Sequence, residues 1–407
     1  MSKLQELIKQ HCPNGVEYKK LGEVAKVISG SSAPQKSSDF SDYGIPFCRT
    51  SDVGRVHMSV DFSEISDRIT ETAAKNMHLM PKGTILIPKS GASTLLNHKV
   101  RLSIESYVVS HLAAIISNTD VINDRYLYYV LSKFDMRELV DDKNYPSVKT
   151  SEIAERIQIP VPPLEVQEEI VRILDCFADY SAELQAELQA RKEQYEYYRD
   201  KLLSFNKIGG VPWLTMSEIG TFIRGSGLQK KDFTESGFPC IHYGQIHTYY
   251  GTFASETIST ISYETAAKSK LASYGDIIFA ITSEDVDGCC KAVAWLGEDD
   301  IAVSGHTAIF KHSQNPKYLA YYSQTEMFAR QKRKFVHGTK VVEISPDKIK
   351  DILVPIPQLA EQERIVGILD KFETLVNDLS EGLPSEIAAV GEQYEYYRNK
   401  LLTFPRA

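Results

Sequence analysis

The stretch "EQYEYYRDKLLSF" occupies residues 193–205, and "EQYEYYRNKLLTF" occupies 392–404. The strings differ only at Asp200/Asn399 and Ser204/Thr403. Outward from this pair, "IPVPPLEVQEEIVRILDCF" at 159–177 matches "VPIPQLAEQERIVGILDKF" at 354–372. Further upstream, "LGEVAKVISG" at 21–30 matches "MSEIGTFIRG" at 216–225. "GTILI" at 83–87 echoes "GDIIF" at 275–279, "VVSHLAAII" at 108–116 echoes "AVSGHTAIF" at 302–310, and "YLYYVLSKF" at 126–134 echoes "YLAYYSQTEMF" at 318–328. The order never changes, so the chain is two copies of one unit. They match closely at their C-terminal ends and faintly in the middle.

Each copy opens with a region rich in β-branched runs and turn residues. Strands are expected at 24–28, 84–87, 108–116, 219–223, 276–281 and 301–310, and a helix near 124–139 and 316–334. A Pro-rich junction, "PVPP" or "PIPQ", then starts a long helix. In the first, positions 170, 174, 177, 181, 184, 188, 191, 195, 198 and 202 alternate steps of four and three, and all but Ser181 and Arg191 are Ile, Leu, Phe or Tyr. In the second, positions 365, 369, 372, 376, 379, 383, 387, 390, 394, 397 and 401 are all apolar. Its two consecutive four-steps, at 379–383–387, read as a stutter beside Gly382 and Pro384. Two helices of about 40 residues, about 60 Å long, are expected. Their seams pair with each other as an intramolecular coiled coil, or each packs on its own unit's core.

The net charge of −8 is unevenly placed. Segments 165–200 and 361–400 together carry −11, leaving the rest near +3. Local charge, not the total, decides whether a phosphate partner is tolerated. The six cysteines form no CxxC pair and read as free cytosolic thiols. No apolar run is long enough for a bilayer, and "MSKLQELIKQHC" lacks the apolar core of a signal peptide, so no membrane partner and a cytoplasmic location are expected.

No catalytic or metal-binding residues are assigned. "FIRGSGL" at 222–228 lacks dinucleotide spacing, and "QNPKY" at 314–318 reads as a helix start. "SEDVDG" at 283–288 reads as an acidic turn, and His111 and His306 as structural histidines inside apolar strands. Basic and aromatic loops stand out instead. "ARQKRKFVHGTK" at 329–340 holds Lys332, Arg333, Lys334, His337, Thr339 and Lys340, and "RGSGLQKKDF" at 224–233 holds Arg224, Lys230 and Lys231. Tyr243 and Gln245 lie in "HYGQI". The first copy offers Ser31 in "SGSSAPQK", Arg49 in "FCRTSD", Lys89 and Ser90 in "PKSGAS", and Lys143, Tyr145 and Lys149 in "DKNYPSVK". Cations neutralise phosphates, and Gly and Ser let a backbone approach them.

The Pro-rich junctions resemble the Pro-Pro-Leu-x-x-Gln-x-x-Ile-Val regions of specificity subunits of type I restriction-modification systems. "GTKVVEIS" at 338–345 is similar to that family's Gly-Thr-x-x-x-x-Ile loop, whereas "NYPSVKTSEI" lacks the glycine. Asp276 fits the family's Gly-Asp-Ile-Leu, where the first copy has Thr84. The resemblance implies an α+β fold: two duplicated α/β target-recognition domains separated by two long antiparallel coiled-coil helices. The domains would be 1–158 and 208–353, and the helical conserved regions 159–207 and 354–407. It implies a non-catalytic subunit reading one half of a bipartite double-stranded DNA target with each domain. The helices would act as spacer and as docking site for two methyltransferase subunits, which restriction subunits join. Gln167, Ile170, Leu174, Tyr195 and Tyr198, with Gln362, Ile365, Leu369, Tyr394 and Tyr397, would serve the coiled coil and that docking. S-adenosylmethionine, ATP and Mg²⁺ would belong to the other subunits. The alternative is a coiled-coil scaffold that binds only protein. "AELQAELQA" at 182–190 resembles tetrapeptide repeats at this place in the family.

Overall fold

The computed structural model describes residues 3–56, 58–140, 146–205, 210–378 and 380–407. The chain divides into two compact units, Met1–Glu183 with Ile387–Ala407, and Leu184–Glu386.

The first unit is built on a five-stranded sheet of β1 (Ala25–Ser29), β2 (Met58–Phe62), β3 (Ile85–Pro88), β4 (Lys99–Leu102) and β5 (Leu112–Ser117). Its order is β1-β5-β3-β4-β2, antiparallel except for the parallel β4/β2 edge. β3 is buried along its whole length, as its unbroken apolar run requires. The two-residue period of a strand sends alternate side chains to opposite faces. Ile85, Ile87, Ala113 and Ile115 join one core with the helices, and Leu86, Leu112 and Ala114 join a second core on the other face.

The second unit repeats this sheet with β6 (Gly220–Arg224), β7 (Phe253–Ala254), β8 (Ile277–Ala280), β9 (Lys291–Trp295) and β10 (Thr307–His312). The order is β6-β10-β8-β9-β7, again with one parallel edge, β9/β7. Ile277, Phe279, Ala308 and Phe310 face the helical core, while Ile278, Ala280 and Ile309 face the other. The duplication read from faint sequence echoes is thus a duplication of topology.

The helices are α1 (Asp124–Lys133), α2 (Leu164–Leu202), α3 (Pro316–Ser323), α4 (Glu326–Lys332), α5 (Leu359–Asn377) and α6 (Leu383–Leu401). The boundary between units falls inside α2. The expected second long helix is broken rather than stuttered. Asp378 Oδ1 accepts the N–H groups of Ser380 (2.7 Å) and Glu381 (3.2 Å), ending α5. Gly382 follows where an added Cβ would lie 2.3 Å from the Thr374 carbonyl oxygen, and Pro384 sits in the first turn of α6. The seam position Leu379 lies outside the described residues.

Both readings of the long helices hold, at different points along them. Their first turns belong to the core of their own unit: Ile170 and Leu174 in the first, Ile365 and Leu369 in the second. Farther along, helix meets helix. In the first unit Phe177 of α2 contacts the rings of Tyr394 (6.4 Å) and Tyr397 (5.5 Å) of α6. In the second, Phe372 of α5 contacts Tyr195 (6.3 Å) and Tyr198 (5.8 Å) of α2. The repeated Tyr-rich string exists because each copy closes on the equivalent phenylalanine.

Gln167 and Gln362 are fully buried. Gln167 accepts the Asn123 N–H (2.8 Å) and donates to the carbonyls of Val121 (3.1 Å) and Pro162 (2.7 Å). Gln362 accepts the Asn315 N–H (3.0 Å) and donates to the Pro357 carbonyl (2.9 Å). Asn123 and Asn315 are the N-caps of α1 and α3. Each glutamine therefore pins a Pro-rich junction to a helix start, and neither side chain is available to another subunit.

Candidate nucleic-acid interface

At one end of each sheet, loops that are distant in sequence converge. In the first unit Ser31 bridges to Val109, and Ser90 to Ser147. Lys89 donates its N–H to the His111 carbonyl (3.0 Å) and accepts the Val148 N–H (2.8 Å) on its own carbonyl. Ser31, Lys89 and Ser90 thus come together, with Lys149 close by as the exposed N-cap of Thr150–Arg156. Lys143 and Tyr145 lie outside the described residues. Arg49 is paired rather than open: it bonds Asp67 and lies 5.4 Å from the Phe40 ring centre and 5.7 Å from that of Phe47.

In the second unit the same end carries Arg224, Tyr243 and His337. Ser226 bridges to Ser304, Tyr243 N–H donates to Ser304 Oγ (2.9 Å), and Thr282–Ser283 pair with Val342–Glu343, which in turn pair with His337–Gly338. Arg224 forms an ion pair with Glu343 (3.2 Å). Lys230 and Lys231 are exposed in a short helical turn, and Thr339 and Lys340 are exposed at the tip after Gly338. Gly338 has φ +117°, and an added Cβ would lie 2.2 Å from the Val341 carbonyl oxygen, so the tip requires glycine. Gly225 serves packing, not open approach: an added Cβ would meet the Ser304 carbonyl oxygen at 2.1 Å.

Two expected contacts are corrected. Lys332 is buried, and its ammonium donates to the carbonyls of Asp287 (2.6 Å) and Cys289 (2.6 Å). Burial pushes its pKa down. It fastens the Asp285–Cys290 turn from inside, so of the triplet Lys332-Arg333-Lys334 only Arg333 and Lys334 are exposed. Arg333 is itself paired with Glu326 (2.9 Å) and Asp287 (3.3 Å). Gln245 is likewise buried, accepting the His242 N–H (2.9 Å) and donating to Ser259 Oγ (2.6 Å).

Sequence reasoning misplaced His111 and His306. Both are exposed and lie in turns, not strands. Ser90 Oγ lies 2.6 Å from His111 Nδ1, and Thr282 Oγ1 lies 2.9 Å from His306 Nδ1. The signal was present as Ser-His and Ser-Gly-His inside otherwise apolar runs. Sequence reasoning also missed Tyr197 and Tyr396, which lie off the seam and are 60% and 59% exposed. Lys201 and Lys400 sit 5.5 Å and 5.6 Å from their ring centres, an equivalent cation–π pair in each copy.

A cleft in the second unit, lined by Arg199, Lys201, Asp287, Lys291, Glu326 and Arg333, mixes both signs of charge and is no phosphate funnel. Among the described residues no group of three or more His, Cys, Asp or Glu could hold a metal ion, and no helix is long and apolar enough to cross a membrane. The cysteines are free, and all but Cys176 are buried.

A family model of the type I restriction modification DNA specificity domain matches residues 13–193 and again 211–389. A putative type I restriction enzyme specificity subunit of Haemophilus influenzae is 29% identical over 96% of both chains. A type I restriction enzyme specificity subunit of Escherichia coli is 36% identical over 69% of this chain and 71% of its own. Among solved structures, the specificity subunit from Mycoplasma genitalium shares the fold, with a TM-score of 0.53 at 14% identity, over 96% of this chain and 97% of its own. A chain from a study of assembly and conformational transition in a type I restriction-modification system aligns with a TM-score of 0.64 at 17% identity, over 96% and 98%. With the matched domain present twice, this chain belongs to the family of type I restriction-modification specificity subunits.

Proposed function

We propose that each unit reads one half of a bipartite double-stranded DNA target through the loop cluster at the end of its five-stranded sheet. The observation that carries this reading is the doubled convergence. Ser31, Lys89 and Ser90 in one unit, and Arg224, Tyr243, His337 and Lys340 in the other, come from separate loops to one end of the same topology. Cationic, Gly- and Ser-bearing loops on a rigid sheet suit phosphate contact and base readout.

The chain acts as a non-catalytic subunit. Its long helices dock two methyltransferase subunits, which restriction subunits join, and S-adenosylmethionine, ATP and Mg²⁺ belong to those subunits. Exposed residues of the repeated Tyr-rich string support the docking reading. Tyr197 with Lys201 and Tyr396 with Lys400 have stayed identical while the recognition loops diverged, as a partner bound twice would require. The test is DNA binding by the full chain with its methyltransferase subunits, at several salt concentrations. Target-selective binding with a steep salt dependence is expected. Binding to protein partners alone, with no selectivity for any duplex, would leave only a scaffold.

A further inference from the structure

Where the two loop clusters can be superposed by their bonding, Gly30-Ser31 and Gly225-Ser226 are the same, each serine bridged to the segment before a histidine, while other side chains differ. The backbone N–H that follows the strand Phe238–Ile241 belongs to His242 and donates to Gln245; its counterpart in the first unit belongs to Arg49 and donates to Asp52 (2.8 Å). Tyr243 therefore stands where the first unit has Thr50. A second arrangement, built around an exposed ring, is also kept in both. A hydroxyl two residues beyond the end of the central strand, Ser90 or Thr282, holds Nδ1 of an exposed histidine, His111 or His306. The carbonyl of that histidine accepts the N–H of the residue just before the hydroxyl, Lys89 (3.0 Å) or Ile281 (3.0 Å). Each imidazole is held at Nδ1, its backbone is held by the carbonyl bond, and both histidines are exposed.

We infer that His111 and His306 are phosphate anchors, one in each unit, and that the divergent residues around them carry base selectivity. The inference rests on the reading that these loops face DNA. Two units that read different half-sites share only the sugar-phosphate backbone of their targets. A contact kept in both is therefore a backbone contact, and contacts that differ are candidates for readout. An imidazolium has two N–H donors. One goes to the hydroxyl and the other reaches a phosphate oxygen with a full positive charge behind it. The surroundings of His306 are Tyr243 (ring centres 4.9 Å apart), His242, the Arg224–Glu343 ion pair, whose arginine also bonds the Gly305 carbonyl (3.4 Å), and His247, bonded to the Thr282 carbonyl (3.0 Å). Around His111 stand Ser90 and Lys89.

The test is equilibrium binding of the full chain, assembled with its methyltransferase subunits, to its methylation-mapped target and to duplexes with one half scrambled. His306→Gln and His111→Gln should each weaken binding by roughly ten- to a hundredfold, the scale of one charge-assisted contact. The loss should be the same on matched and scrambled halves. The log–log salt slope should fall by about 0.9 per variant. Thr282→Val and Ser90→Ala, which free the rings, should give smaller losses in the same direction. Lys340→Ala is the control for the face itself. If it weakens binding while both histidine variants bind like wild type, the anchors are wrong and the face stands. If none of the three changes binding, the face is wrong as well. A histidine variant that changes the matched-to-scrambled ratio would make that histidine a base reader and overturn the inference.

Discussion

Two buried lysines show how far a residue's type is from its role. Lys99 has no exposed surface, and among the described residues its ammonium bonds Asn97 alone, at Oδ1 (2.7 Å) and at the carbonyl (3.3 Å). Burial pushes its pKa down to about 8; Asp135 opposes this, and Arg398 and Arg137 add to it. The unfolded chain keeps a lysine value of about 10.4, so between these values it binds more protons than the fold does. Stability from this site should therefore rise with pH from about 8 to above 10, and the penalty should be constant below 8. Lys99→Met should stabilise the protein at pH 7 by up to about 3 kcal/mol, with the gain shrinking above pH 8. Urea unfolding at pH 7 and pH 9.5 would measure it; a gain that grows with pH would contradict the assignment. Lys332 behaves differently because two carbonyls receive its ammonium. Lys332→Ala should leave the buried Cys289 carbonyl without its partner and loosen the exposed Asp287 end of the turn, at a cost of about 1–3 kcal/mol. By contrast, Lys334→Ala with Lys340→Ala should leave stability unchanged and lower the DNA salt slope by about 0.9 per lost contact. Equal effects of the two sets on stability would remove the distinction drawn between them.

At the level of elements, sequence periodicity located the strands and helices but ran them together. The apolar run 108–116 covers the end of Tyr107–Val108 and most of β5, separated by the Ser110-His111 turn, and 301–310 covers Ile301–Val303 and most of β10, separated by Ser304–His306. Polar residues inside an apolar run read as surface positions of one strand, although here they are the candidate site. The helix expected at 316–334 is likewise α3 and α4, because Thr325 Oγ1 accepts the Phe328 N–H (3.2 Å) and starts a second helix. Loop convergence could not be read, since it depends on non-local pairing. The Pro-rich junction was legible as a motif, but its glutamine's partners were not. Gln362→Leu should leave the Asn315 N–H and the Pro357 carbonyl without their partner and cost about 2–4 kcal/mol, detectable as a lower unfolding midpoint. An unchanged midpoint would mean that water replaces the glutamine. The repeat at 182–190 lies within continuous helix. Deleting one "AELQ" removes about 6 Å of α2 and turns its far end by about 40°. The second helix, already interrupted between α5 and α6, can absorb that change of register. If α2 sets the distance between half-sites, the unread spacer should shrink by one to two base pairs, at about 3.4 Å each. Methylation mapping that shows an unchanged spacer with activity retained would exclude that role.

For the whole molecule, the question is whether the two copies act independently. Each unit has its own five-stranded sheet with a core on each face and its own Gln-pinned junction. The acidity is confined to the helical segments, which leaves the remaining chain near +3 and open to phosphate contact. A recognition domain should therefore be exchangeable, provided the cuts respect the structure. A cut at 340 would divide the paired segments His337–Gly338 and Val342–Glu343. Trp213–Thr215 pairs with Leu353–Pro355 across the base of the unit, so the ladder marks the natural boundary. Replacing 216–352 with the equivalent segment of another family member keeps that ladder, the Gln362–Pro357 bond and the Phe372–Tyr195 contact, and the donor supplies the helix start that Gln362 holds in place of Asn315. Conditions in the first unit are untouched by such an exchange. The bases read in one half of the target should then become those of the donor, while the other half and the spacer stay as they were. Methylation mapping of the exchanged subunit, assembled with unchanged methyltransferase subunits, reads all three at once. A change in both halves would mean that readout is shared between the units, and the two clusters would have to be treated as one site.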